Sequence, residues 1–559
     1  MNRIISLLIM KAGHVQNEDG SNYNLDNNTT KDVEPQKIFT EIDKNLDFLK
    51  YKYNALICND VIIREFSLLA QNIEYKAFVM YIDGMVDSSV INEFILSPLM
   101  MRNRANIFDD KQKKFVSEKK IDNVTLKNFK KSKEKNLVDF IYNSLIPQNS
   151  VDKVTDFSDV YSAINMGNCM LFVDSLDTAF NLDVKGFKQR NIDSPRNEVV
   201  VRGSQEAFVE NIRTNTSMIR RLVNNENLVM ETLTVGQITK TQVSIGYIKS
   251  LANEDLVAEV RYRINNLSVD YLISSGQLEQ LIQDSPESLF PQMVATERPD
   301  KVSNFLLEGR VVIVINGSPY VLVAPGVFVD FITSPEDLNL KYQFSNMQKL
   351  IRLLAIFLSL LLPGMYIAIT NYHQELIPTE LLFTIAAARE SVPFPTFVEI
   401  LLMEISFELI REAGLRVPTP LGSTIGIVGA LILGEAAVSA SLVSPVLIII
   451  IAITGICSFS IPDFSLNFTF RIYRFIYIIL GYVAGFLGIS VVLFIQLVIM
   501  CKLKSFGSPY INPYILNKNK RSISSYFIPP IWKRERTSVF LHAQKKFSQK
   551  KISMVWRKK

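Results

Sequence analysis

The pattern of apolar and polar positions changes character along the chain. Up to about residue 348, apolar runs are short and end in turn residues. The stretch KAFVMYIDGM (76–85) is β-prone and breaks at Asp83-Gly84. Val90, Ile91, Phe94, Ile95 and Leu99 then recur at helical spacing, so 76–100 predicts strand, turn and helix. GRVVIVINGSPYVLVAP (309–325) predicts two strands joined at Asn316-Gly317. From 349 onward the runs lengthen. Residues 353–370 are 18 positions without a charge, about 27 Å as a helix, with Pro363-Gly364 as a kink. Residues 417–470 hold two charges, Glu435 and Asp463, and 475–500 are 26 positions with none. Membrane spans are predicted near 353–370, 421–441, 445–461 and 475–500.

Between the first two lies 379–416, apolar on one face and acidic on the other. Glu404, Glu408 and Glu412 form the acidic stripe, joined by Arg411, Glu399 belongs to the same amphipathic helix, and Pro393 and Pro395 break the segment in two. It reads as an interfacial or re-entrant pair, or as a further span lining a polar cavity. A lipid-exposed span is disfavoured, since each charge in the bilayer core costs about 2.5–3.5 kcal/mol. GxxxG spacings at Gly422/Gly426 and Gly481/Gly485 permit close helix approach, or are glycines without a packing role.

A weak repeat runs through the first part. Tyr81-Ile82 and Tyr247-Ile248 are each followed, twelve residues after the Tyr, by Glu93 and Glu259. Val90-Ile91 aligns with Leu256-Val257 and Met85 with Leu251, which predicts two related α/β subdomains in series. The fold class is therefore α+β and multi-domain. A disordered extension (1–37) precedes soluble α/β subdomains over 38–160 and 161–348, an all-α polytopic membrane domain over 349–503 and a basic cytoplasmic tail over 504–559.

Charge sharpens this division. The 559 residues carry a net +5 at a mean hydropathy of +0.17. Residues 1–348 hold 38 bases and 45 acids, 349–500 hold 7 and 9, and 501–559 hold 15 and one, Glu535. The tail and Lys341, Lys349 and Arg352 place both ends of the membrane domain on the cytoplasmic side, which needs an even number of crossings, four in the count above. Ten lysines in 111–135 read as a solvated insertion and not as a nucleic-acid site, because few aromatics interleave and this part is net acidic.

Little here asks for an enzyme. Cys58, Cys169, Cys457 and Cys501 form no CxxC pair, and His14, His373 and His542 have no neighbour at metal-ligand spacing. No P-loop, GxSxG or HExxH is present, and neither cofactor nor metal is expected. Residues 1–10 lack a signal-peptide pattern. The candidate chemistry lies in the membrane segments. Glu435 interrupts GALILGEAAVSASLVSP (429–445), either as an intramembrane functional carboxylate or as the marker of a helix end. Small residues surround Val438, with Ser439 and Ser441 among them. Copies of the segment around an axis would give a narrow polar path gated by Val438, or the same residues form a helix-packing face. In 203–221, predicted helical, Glu206, Glu210, Arg213, Arg220 and Arg221 offer either an assembly interface or an intramolecular ion-pair network.

Five stretches carry a family resemblance: RGSQEAFVENIRTNTSMIRR (202–221), TERPDKVSNFLLEGRVVIVINGSP (296–319), LPGMYIAITNYHQELIPTELL (362–382), ESVPFPTFVEILLMEISFELIREAGLRVP (390–418) and KSFGSPY (504–510). Over roughly 160–512 the chain resembles the A subunit of the GerA family of spore germinant receptors. The resemblance implies a multi-pass protein of the spore inner membrane with both termini cytoplasmic. It also implies a transporter-like B subunit that binds the nutrient, a lipoprotein C subunit, and a homo-oligomer, a pentamer, forming a nutrient-gated ion channel. Val438 falls where the family's constriction is proposed. The alternative function is a non-conducting membrane scaffold that assembles the other subunits.

Overall fold

The computed structural model describes residues 37–70, 73–100, 137–186, 195, 197–416, 434–511, 527, 528 and 530. The extension, the lysine-rich stretch, Gly422/Gly426, most of the span expected over 421–441 and most of the tail lie outside the described residues.

The first part holds two five-stranded antiparallel sheets. Strands β1 (Val61–Ala70), β2 (Ile73–Ile82), β3 (Val151–Val154), β4 (Cys169–Val173) and β5 (Ala179–Leu182) run in the order β1-β2-β4-β5-β3. Strands β6 (Leu228–Val235), β7 (Thr241–Ile248), β8 (Val294–Thr296), β9 (Val311–Ile315) and β10 (Val321–Ala324) repeat that order as β6-β7-β9-β10-β8. The weak sequence repeat marks equivalent places in the two units. Tyr81-Ile82 and Tyr247-Ile248 end the second strand of each sheet. Met85 N donates to Ile82 O and Leu251 N to Ile248 O, the same turn bond in both. Gly317 sits at φ +89° in the β9–β10 turn, the left-handed region that glycine adopts without strain. One apolar cluster, including Phe78 and Phe172 of the first sheet and Val243 and Ile313 of the second, runs through both units.

Two boundaries move. The first sheet continues to Leu182, past the expected division at 160/161, because β4 and β5 insert between β2 and β3. The helix expected over 203–221 is confined to α1 (Ile212–Leu222), where the Asn211 side chain caps by accepting from Arg213 N and Thr214 N.

The helical part comprises α2 (Tyr342–Tyr372), α3 (Thr379–Arg389), α4 (Thr396–Arg416), α5 (Pro445–Phe459) and α6 (Phe464–Lys502). Helices α2 and α6 are long and apolar enough to cross a membrane. A straight α6 of 39 residues would measure about 58 Å, nearly twice a hydrocarbon core. It does not run straight. Gly485 has non-helical φ +58° and ψ −139°, and Tyr477 Oη donates to Gln496 Oε1 at 2.7 Å across 19 residues. Thr469 Oγ1 donates to Leu289 O and Ser505 Oγ to Gln292 O, so both ends meet the second α/β unit. Thus α6 is a helical hairpin with arms 464–484 and 486–502, and the single span expected over 475–500 is corrected to two arms. A run of 26 uncharged residues looks continuous because the break rests on one glycine.

The first arm packs on α2 through glycines. A Cβ on Gly481 would lie 2.8 Å from Gly364 O, and one on Gly364 would lie 2.8 Å from Tyr477 O. The chains approach backbone to backbone. Gly481→Leu is expected to separate α2 from α6 at a cost of at least 1–3 kcal/mol, on the order of an overpacked core. A melting curve of the detergent-solubilised full chain checks this, and an unchanged midpoint would refute the close packing.

The loop Leu289–Gln292 therefore touches the first arm of the hairpin and the segment that follows the second. Phe290 packs against Phe470, Tyr473 and Tyr510. Residues 504–509, assigned from sequence to the tail, form a two-stranded ribbon (Lys504–Ser505 with Ser508–Pro509) docked on this loop. Beside the junction, burial and the charge of Asp463 push the Glu279 carboxyl up to about 7.

Candidate functional site

Helix α4 turns its charges inward. Its acids at 404 and 408, four residues apart, share a face that meets arginines of α6, and Glu399, on another side of the helix, meets Arg389. Glu399 is buried, lies 3.6 Å from Arg389 and accepts from Ser444 N at 3.1 Å. Glu404 accepts from Arg474 Nη1 at 2.9 Å, both side chains being fully buried, and Arg474 Nε donates to Ser359 O of α2. Glu408 accepts from Arg471 Nε at 2.9 Å and from Arg471 Nη2. Arg411 donates to Ser458 Oγ at 2.7 Å, and Glu412 is exposed. The opposite face, with Val398, Leu402, Ile405 and Leu409, is apolar and exposed.

This inverts the arrangement of a water-soluble helix. Charges buried and paired, with leucines and isoleucines outside, suit an apolar solvent, where an unpaired charge is costly. The two pieces separated by Pro393 and Pro395 are present, but α4 is a bundle member and not a helix resting its acidic face on water. Its partners, Arg471 and Arg474 of α6, lie 63 and 70 residues away and have no local signal.

Residues 434–439 form a helical turn ended by Ser441 at φ +54°. Ala437 packs into the cluster of Ile400, Met403, Leu447 and Ile478. Glu435 and Ser439 point away from it and are exposed, whereas Val438 and Ser441 are half-buried.

In the α/β part, the charged set of the signature segment is engaged within the chain. Arg220 is 3% exposed and pairs with Asp60 of the first unit through both carboxylate oxygens. Burial opposes its charge, yet Asp60 raises its pKa. Arg221 pairs with Glu206. Arg213 pairs with Asp83 of the first unit at 3.0 Å while itself 75% exposed. Glu210 is exposed, and its carbonyl accepts from Gly317 N. Arg298, fully buried, donates to Glu198 O and Ser204 O and pairs with Asp300, which fixes the Thr-Glu-Arg-Pro-Asp loop.

A duplicated α/β unit seated on a bundle of apolar helices, with paired charges inside and aliphatic side chains outside, is the plan of a membrane-type protein with a large polar domain. Comparison with known proteins gives the family. The model described as Bacillus/Clostridium GerA spore germination protein matches residues 47–539, and the chain belongs to that family. It is 37% identical over 517 residues to spore germination protein KA of Bacillus subtilis (strain 168), covering 92% of this chain and 90% of that protein. It is 36% identical over 482 residues to the uncharacterized membrane protein YfkQ of the same strain, covering 86% and 88%. Among solved structures, it is similar to the N-terminal domain of the A subunit of the Bacillus megaterium spore germinant receptor GerK3. The identity there is 29%, over 52% of this chain and 98% of that one, with a TM-score of 0.36.

Proposed function

We propose that this chain is the A-type subunit of a nutrient germinant receptor of the spore inner membrane. In this reading it works with a transporter-like B subunit that binds the nutrient and a lipoprotein C subunit. It assembles as a homo-oligomer whose axis conducts ions when the nutrient binds, a population shift of the ring. The crossings in this reading are α2, α4, the two arms of α6 and α5, together with the span expected over 421–441. That makes six, which keeps the α/β part and the basic tail on one side, the cytoplasmic one by the lysine and arginine bias.

The observation that carries the channel reading is the exposure of Glu435 and Ser439 beside the inward-facing Ala437. A carboxylate outside a bundle whose other exposed side chains are mostly apolar suits a water-filled axis and not lipid. Glu435 would concentrate cations and Val438 would gate. Glu435→Gln is expected to slow cation flux from liposomes holding the purified oligomer without loss of assembly. Val438→Ala is expected to leak without nutrient. If neither variant differs from the parent, the path lies elsewhere. An assembled parent complex that passes no ions would leave the scaffold function.

A further inference from the structure

Among the described residues of the helical bundle, charge accounting leaves one partly buried cation over. Glu399 faces Arg389, Glu404 faces Arg474 and Glu408 faces Arg471. Among the described residues, Arg411 has the Ser458 hydroxyl and two rings, Phe407 and Phe459, with their centroids 5.0 and 4.8 Å from its guanidinium. Its Nε and Nη1 are buried with no hydrogen-bond partner, and so is Nη2 of Arg474, a residue 1% exposed. Among the described residues, Arg411, Arg471 and Arg474 thus face two carboxylates, Glu404 and Glu408, and unused N–H donors remain in an apolar setting beside one unpartnered Glu404 oxygen. Such groups are costly unless an anion or another acceptor meets them.

We propose that Arg411 binds a phosphate-type oxyanion. The planar guanidinium presents several parallel N–H donors, a geometry that fits phosphate oxygens. The two rings clamp it, and its Nε and Nη1 lack an acceptor. The site lies toward the α/β end of the bundle, because α4 pairs antiparallel with the first arm of α6, whose start at Thr469 touches Leu289. Leu409, Ile456 and Phe459 around it are each at least 65% exposed, so a ligand can arrive sideways from lipid. A phospholipid headgroup and a free oxyanion share this chemistry. The proposal holds whether or not the chain conducts ions.

The test uses the full chain in dodecyl maltoside, a detergent without phosphate, alone, with added phosphatidylglycerol, and with added inorganic phosphate. Binding is expected to raise the melting temperature of the parent by about 3 °C or more. Arg411→Gln is expected to abolish the rise and Arg411→Lys to keep part of it. A rise with phosphatidylglycerol alone assigns the site to a headgroup, and a rise with phosphate assigns it to a free oxyanion. No rise in the parent, or an equal rise in Arg411→Gln, overturns the proposal. Should Arg411→Gln fail to accumulate, native mass spectrometry of the parent decides. Retained phosphatidylglycerol or phosphate supports the site, and retention of neither overturns it.

Discussion

Arg474→Met is expected to leave little folded protein in the membrane fraction, whereas Arg474→Met combined with Glu404→Leu is expected to restore much of it. Both side chains are buried to 1% exposure or less and bond at 2.9 Å. Removing the arginine alone strands a carboxylate among aliphatic side chains, and breaking a buried pair from one side typically costs about 3–5 kcal/mol. Stability in proteins is only about 5–15 kcal/mol in total, so that loss is a large share of it. Removing both partners leaves no uncompensated charge, and apolar replacement of a buried pair is often neutral or stabilising. Arg471→Met should cost less, because Arg471 and Glu408 are 12% and 18% exposed. The measurement is the yield and melting temperature of the detergent-solubilised full chain. A single Arg474→Met variant as stable as the parent would show that the pair is not held as described.

The same pair shows where the sequence stops being readable. Helical spacing tells that Glu404 and Glu408 share a face, and Pro393 and Pro395 tell where the helix begins. Spacing cannot tell whether that face meets water or arginines, since the partners come from a helix 63–70 residues away. The break at Gly485 was hidden because glycine is frequent in apolar helices and only the return contacts, such as Tyr477 to Gln496, expose it. Where the signal is local, it was legible. The Asn316-Gly317 turn needs left-handed backbone, and the positions pairing Tyr81 with Tyr247 repeat because each ends the second strand of one sheet. The division at 160/161 failed because membership of a sheet is decided by pairing. Cys169–Val173 is a short apolar run that fits either unit until β2 is seen beside it.

Arg220→Ala is expected to be the most damaging single change in the α/β part, and it distinguishes an internal tie from an assembly contact. Arg220 and Asp60 belong to different sheet units, and the arginine grips both carboxylate oxygens while 3% exposed. The truncation removes the tie and leaves Asp60, 14% exposed, without its buried partner, for a loss of about 3–5 kcal/mol. Arg213→Ala, by contrast, acts on a side chain 75% exposed and should cost less than about 1 kcal/mol. Melting curves of the full chain, with trypsin digestion to detect separation of the units, measure both. If Arg220→Ala melts like the parent but loses oligomer, the residue serves assembly instead. If it melts early with the units cleaved apart, the two sheets depend on this pair to move as one body. Any signal that the α/β part sends through the Leu289–Gln292 loop to the first arm of α6 and to the ribbon after the second then depends on it as well.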